Sequence, residues 1–272
     1  MIGRFARYAE QRWDFLDMVG RVRDSRYNPT VPTSAVFLSV FGMHVVRHGS
    51  INALEQQLQI PGRWEPWVGP IKPSADTVAY AMERYDLEPL RMMLADAAQL
   101  AKRKKAFRRL YPDNYWVGAL DGIETYKSKK GCCSTCCERN VGTETEPVIE
   151  YYHREVVLQI VGATPACILD EEPVLAGETE TTAALRLLER FHARMPRFLD
   201  VLTMDAFYLQ APFAKRALEL GYGLVTILKQ ENRDLYKDAD GLFSMTPSET
   251  MSMVNGTAEV WDVKGLTSWS QL

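Results

Sequence analysis

Two aspartates close two separate apolar runs: Asp121 follows Tyr115-Trp116-Val117-Gly118-Ala119-Leu120, and Asp205 follows Val201-Leu202-Thr203-Met204. A carboxylate at the carboxyl end of a buried strand points into the crevice where open α/β sheets bind ligands, so two of them could share a metal ion. The chemistry such a pair supports is phosphodiester cleavage. Mg²⁺ prefers carboxylate and water oxygens, and two ions about 4 Å apart hold both the attacking and the leaving oxygen. An aspartate at a strand end is also a common turn residue or helix cap, and for either residue alone the two readings stand level.

Basic residues form separate groups. Lys102, Arg103, Lys104, Lys105, Arg108 and Arg109 crowd one short segment. They could grip phosphates, or they could simply complement the macrodipole at a helix C-terminus. Lys127, Lys129 and Lys130 follow Asp121 closely, and Arg154 flanks a later strand. These could line a phosphate channel, with Tyr126, Tyr151, Tyr152 and Tyr208 offering faces for bases. The net charge of -3 supplies no overall attraction to DNA, so any contact must come from these local clusters.

Four of the five cysteines lie in Cys132-Cys133-Ser134-Thr135-Cys136-Cys137. Six residues cannot staple distant parts of a fold, which excludes a secreted disulfide framework. Cys133 and Cys136 have the spacing of one arm of a zinc site, but no second arm appears at the usual distance. His153 is the nearby imidazole, and its setting in Tyr151-Tyr152-His153-Arg154 reads as a strand edge. A reduced, semi-exposed thiol loop is the plainer expectation.

The elements that must position these groups fall into two regions. With 46% hydrophobic and 25% charged residues, the chain can bury one large core or two modest ones. The first hundred residues read as helical: Ser34 caps a helix through His48, Ser50 caps one over Ile51 to Leu58, and Ser74 or Asp76 starts one over Thr77 to Tyr85. Leu90 to Arg109 reads as a long fourth helix that carries the basic segment and ends at Tyr111-Pro112. The turn near Pro73-Ser74 invites a helix-turn-helix reading.

From Tyr115 the period changes. Tyr115 to Leu120, Val156 to Val161 and Ala166 to Leu169 read as three adjacent strands. A helix follows, started by Thr179 or Thr181, with Ala184, Leu187, Leu188 and Phe191 on one face. Phe198 to Met204 is a strand. Pro212 and Gly221 bracket a short helix before the strand Leu224 to Leu228, and Asn255-Gly256 sits between the strands of a hairpin. Met1 to Glu10 contains no apolar targeting run, and Ala35 to Val46 is well short of the roughly 20 residues that cross a bilayer. A cytoplasmic protein without a membrane span is expected.

Three strands, helix, strand, helix, strand is the order of the ribonuclease H-like fold, in which the first and fourth strands are neighbours. Leu120-Asp121-Gly122-Ile123-Glu124, Glu150-Tyr151-Tyr152-His153-Arg154, Gly177-Glu178-Thr179-Glu180 and Met204-Asp205-Ala206-Phe207-Tyr208 follow one another in that framework. With them, the chain resembles the DDE transposases of bacterial insertion sequences from about Asp24 to its end. The resemblance implies an α/β chain, α+β overall: a helical region 1–110 that helps bind element ends, then a ribonuclease H-like catalytic domain 111–272 with a β-rich insertion. It implies that Asp121 and Asp205 are catalytic and bind Mg²⁺ or Mn²⁺ for cleavage and transfer of DNA strands. Double-stranded DNA at element ends is the implied partner, a homodimer is compatible, and the bound protein would sit on the nucleoid.

The family completes its ligand set with a glutamate on a helix beyond the insertion. Here the sequence ends at Leu272 before such a helix, so the third carboxylate is expected to be missing and the activity impaired. Glu219, Glu249 and Glu259 are poor substitutes, and Glu231 is the least remote. Two other readings stand beside this one: a DNA-binding remnant that occupies element ends without cutting, and an unrelated α/β domain whose aspartates are structural.

Overall fold

Side-chain caps start several helices of the first hundred residues. The Ser50 hydroxyl accepts from the Ala53 amide and the Ser74 hydroxyl from the Thr77 amide, as expected from sequence. The computed structural model describes residues 2–109, 115–131, 133–229, 234–254 and 256–264. The chain divides into two compact units, Met1–Lys105 and Ala106–Leu272.

The first unit is helical: α1 (Ile2–Trp13), α2 (Phe15–Gly20), α3 (Thr33–Val45), α4 (Ile51–Leu58), α5 (Glu65–Val68), α6 (Ala75–Met82) and α7 (Leu87–Arg103). Phe15, Val19, Leu38, Leu54, Leu58, Trp64 and Trp67 form its core. At about 1.5–3 kcal/mol per fully buried large apolar side chain, this cluster suffices to hold short helices together. Ser34 is not the cap of α3; the cap position is Pro32, two residues earlier, and the helix starts at Thr33.

The long basic helix expected over Leu90 to Arg109 is corrected at both ends. It starts after the capping residue Asp86 and stops at Arg103, and Lys105 has a left-handed φ of 56°. Phe107 is then buried edge-on against Trp116, and Arg108–Arg109 form a short strand, β1. Burial of one aromatic and a strand ladder outweigh the local helical preference of the lysines and arginines.

The second unit is built on β2 (Val117–Ser128), β3 (Cys137–Asn140), β4 (Ile149–Val161), β5 (Ala163–Thr164), β6 (Cys167–Pro173), α8 (Glu180–Arg194), β7 (Val201–Met204), α9 (Ala211–Glu219) and β8 (Gly223–Thr226). Beyond these lie α10 (Asp234–Phe243) and a hairpin of β9 (Glu249–Met253) with β10 (Gly256–Val260). The main sheet runs β3-β4-β2-β7-β8, with β6 also pairing β4. β4 is antiparallel to β2, β3 and β6, whereas β7 lies parallel to both β2 and β8. This mixed α/β arrangement places the first and fourth strands of the expected order side by side. β1 pairs β5 in a separate, antiparallel two-stranded sheet.

α8 covers the sheet, packing on β4 and β6. Its Ala184, Leu187, Leu188 and Phe191 are fully buried, as are Val156, Leu158 and Ile160 on β4 and Leu202 on β7. The apolar spacing read from sequence is the face that does this. Thr179 caps the helix by accepting from the Thr182 amide. Pro212 lies in the first turn of α9, and Gly221, just past its end, has a φ of 87° that suits glycine.

Several strand limits differ from expectation: β4 starts at Ile149, not Val156, β6 runs to Pro173, not Leu169, and β8 spans Gly223–Thr226, not Leu224 to Leu228. β2 does not stop at Leu120 but continues through Asp121 to Ser128, because β4 pairs with it along that whole length. β7 starts at Val201, not Phe198; Asp200 instead accepts a hydrogen bond from the Trp116 amide at 2.6 Å. α10 buries none of its residues, although Leu235, Ala239, Leu242 and Phe243 fall at helical spacing.

Candidate functional site

Leu120 on β2 stands opposite Met204 on β7, and both are buried on the same side of the sheet. Strand alternation then turns the next residues, Asp121 and Asp205, to the other face, at the same level of two neighbouring strands. Both are exposed. β7 ends at Met204 while β2 runs on, so the edge beyond Leu120 opens beside the two carboxylates.

Each aspartate uses one oxygen locally. Asp121 Oδ1 accepts from the Gly122 amide and Asp205 Oδ1 from the Phe207 amide, both at 2.8 Å. Asp205 therefore caps the single 3₁₀ turn Ala206–Tyr208. The second oxygen of each accepts no hydrogen bond from a described residue.

A third carboxylate approaches this place from α8. Glu180, in the first turn of the helix, rests on Gly122: a β-carbon at that glycine would lie 2.3 Å from Glu180 Oε1. Arg154 donates to Glu180 at 3.0 Å, and the hydroxyl of Tyr208 donates to it as well. Burial, then the Glu180 hydrogen bond and the charges of Glu180, Asp121 and Asp205, push the Tyr208 hydroxyl well above its usual range, so it stays a donor. Tyr208 is almost wholly buried; it is not the base-stacking surface expected from sequence, because its ring closes the core beneath the aspartates.

Alternating charges extend from Glu180 across the sheet. Arg154 also holds Glu124 at 2.8 Å, Arg139 holds Glu124 at 2.6 Å, and Arg139 reaches Glu150 at 2.5 Å. The two guanidinium groups, Arg139 first, hold the Glu124 carboxyl down to about 2. Arg139 stacks over the Tyr152 ring with its guanidinium carbon 4.7 Å from the centroid, which occupies one face of that tyrosine.

Replacing Gly122 by alanine is expected to drive the Glu180 carboxylate off its seat and break its bonds to Arg154 and Tyr208. The side-chain end can swing away, so the cost is that of the lost charged hydrogen bonds, about 1–3 kcal/mol. Urea denaturation checks it, and an unchanged midpoint would refute the contact.

The basic residues take different positions. Lys127 is the penultimate residue of β2, and Lys129 and Lys130 follow the strand, all three exposed. Lys127 stands roughly 20 Å along the strand from Asp121 at about 3.3 Å per residue. Arg154 is held by Glu124 and Glu180, so its charge is compensated within the sheet. Lys102 and Arg103 close α7, followed by exposed Lys104 and Lys105, and Lys104 donates to the Arg12 carbonyl. Arg108 and Arg109 lie in the other unit, where Arg109 stacks over Trp116 at 4.3 Å. The six cations thus do not form one helical face.

Cys133, Cys136 and His153 bring their ligand atoms together next to the lysine turn. Among the described residues, this is the group of three or more Cys, His, Asp or Glu ligand atoms within 4.8 Å of one another; Asp121, Asp205 and Glu180 are not gathered so closely. Glu231 lies outside the described residues, Glu219 pairs with Arg216, and Glu249 and Glu259 lie in the hairpin. Sequence reasoning gave Glu180 no role of its own, and it considered His153 beside the cysteines but read it as a strand edge. The available signals were the capping Thr179 before Glu180 and a glycine directly after Asp121.

The sequence matches no protein-family model and no curated protein. Among solved structures, the chain is similar to a piggyBac transposase in a synaptic complex with hairpin DNA, with a TM-score of 0.42 and 13% identity. The likeness covers 88% of this chain and 52% of that one, so the chain spans about half the length of that transposase. At this level of similarity the functional reading has to rest on the residues themselves.

Proposed function

We propose that the chain is a transposase-like, DNA-processing protein of the kind found in bacterial insertion sequences, and that Asp121 and Asp205 hold a divalent metal ion at the DNA backbone. The observation that carries the reading is the parallel pairing of β2 with β7, which puts two exposed aspartates at one level of the sheet. The donor set fits the ion: hard carboxylate oxygens, one on each aspartate left without a hydrogen bond from a described residue. When bound, Mg²⁺ or Mn²⁺ supplies polarisation of the phosphate and an activated water.

The chain's own residues prepare this place. The backbone amides of Gly122 and Phe207 each fix one aspartate oxygen, which orients the other. Tyr208 and Arg154 hold Glu180 beside Gly122, so its carboxylate acts as a positioning group behind the pair. With two carboxylates directly available, the pair holds one ion better than two, and DNA binding outweighs strand cleavage in this reading. DNA lying along β2 would pass from the aspartates to Lys127, Lys129 and Lys130, which contact phosphates, with Lys102 to Lys105 and Arg108 to Arg109 adding unspecific affinity from their own units.

Changing Lys127, Lys129 and Lys130 together to alanine tests the path. The slope of log affinity against log salt for duplex DNA should fall by about 3, alike for all sequences. Fluorescence anisotropy at several salt concentrations measures it. A protein with no measurable affinity for duplex DNA at low salt would overturn the proposed function, and an unchanged slope would move the DNA off this strand.

A further inference from the structure

Three soft ligand atoms meet at the far end of β2 from the aspartates. Cys133 Sγ and Cys136 Sγ are 3.6 Å apart, and His153 Nε2 is 3.4 Å from each. With zinc–sulfur bonds of about 2.3 Å and a zinc–nitrogen bond of about 2.0 Å, tetrahedral angles require edges of about 3.8 Å and 3.5 Å. The triangle is already close to the size of one face of that tetrahedron.

The local structure explains how a single short arm becomes a site. Cys133 and Cys136 lie in the connection between β2 and β3, and the Cys133 amide donates to Cys136 Sγ at 3.2 Å. His153 comes from β4, opposite Tyr126 of β2, so the second arm is supplied by strand pairing and not by spacing in the sequence. Cys137, next to Cys136, turns the other way: it is buried, and its thiol faces the Val174 and Leu175 carbonyls at 3.6 and 3.8 Å. Adjacent cysteines splay apart, and only one of this pair joins the cluster. The cluster lines an open cleft with Tyr126 and Gly131.

We propose that Cys133, Cys136 and His153 bind a structural Zn²⁺ that pins the lysine-bearing turn after β2 onto β4. Two thiolates cancel the ion's charge, and thiolate with imidazole in a tetrahedral frame selects zinc over the hard cations suited to the aspartate pair. The fourth position goes to a water. The site is independent of the aspartates, so its failure would leave the proposed function standing.

The test is Co²⁺ titration of the full chain, purified under reducing conditions and stripped of metal, alongside metal analysis of the protein as isolated. About one zinc per chain is expected, and Co²⁺ should give the intense visible bands of a tetrahedral site together with thiolate-to-metal charge transfer. Cys133→Ser, Cys136→Ser and His153→Ala should each weaken binding at least about 100-fold, while Cys137→Ser and Cys167→Ser should keep it. The spectrum of the unaltered chain decides even where a variant fails to fold. Co²⁺ binding without thiolate charge transfer, a charge-transfer signal that survives in Cys133→Ser and Cys136→Ser, or a Cys133–Cys136 disulfide in place of metal would overturn the proposal.

Discussion

Replacing Asp121 or Asp205 by asparagine is expected to weaken Mn²⁺ binding by about 10-fold to 100-fold and to remove whatever metal-dependent nicking of plasmid DNA the chain performs. The substitution takes away one negative charge and leaves the amide oxygen. In both positions that oxygen can keep the local hydrogen bond now made by Oδ1, to the Gly122 amide or to the Phe207 amide. Asparagine also caps a helical turn about as well as aspartate, so the 3₁₀ turn after Asp205 should persist. The expected phenotype is therefore loss of metal without loss of fold: unchanged circular dichroism and unfolding midpoint, with a weakened Mn²⁺ isotherm. Glu180 cannot make up the difference where it stands, because Arg154 and Tyr208 hold it. Equal Mn²⁺ affinity in the unaltered chain and both variants would remove the aspartates from the site, whatever the DNA-binding result.

Removing Arg190 should have the largest effect on stability. Its guanidinium bonds Asp170 at 3.0 Å and also Glu172, tying α8 to β6, and both acids are nearly fully buried. Arg186 adds a second tie from α8 to Glu172 at 2.7 Å. Truncating Arg190 takes the guanidinium away from the buried Asp170 carboxylate and removes one of the cations held against Glu172. Breaking such a pair from one side costs about 3–5 kcal/mol, on the order of 10 °C in the melting temperature of a unit this size. Arg190→Met tests it, because methionine keeps most of the apolar stem and removes the charge. The companion measurement is the triple change Arg190→Met, Asp170→Leu, Glu172→Leu, which removes every stranded charge and should recover most of the loss. A single variant as stable as the unaltered chain would show that the acids find other partners or protons at no cost.

The two predictions probe features that differ in how they could be found. Asp121 and Asp205 stand out in sequence because each ends an apolar run, and a strand–helix order places those runs side by side. The face of α8 is likewise written in the spacing of Ala184, Leu187, Leu188 and Phe191, and its start in Thr179. By contrast, nothing in the local sequence sets Asp170, Glu172 and Arg190 apart as one buried cluster. Their burial follows from where β6 passes beneath α8.

What the sequence determined by itself was local: Ser50, Ser74 and Thr179 as caps, Gly221 past a helix end, apolar periods for helix and strand, and the order in which these follow one another. Each depends on hydrogen bonds and side-chain faces within a few residues, so neighbours in sequence suffice to specify it. The tertiary structure decided the rest. β2 runs past Asp121 because β4 lies alongside it, Arg108 and Arg109 leave the helix because Phe107 is buried against Trp116, and Glu180 meets Gly122 because α8 is laid across the sheet. His153 joins Cys133 and Cys136 only through the register of two antiparallel strands. Register and helix placement are set by packing one shared core, a property of residues far apart in the chain, and no window along the sequence contains it.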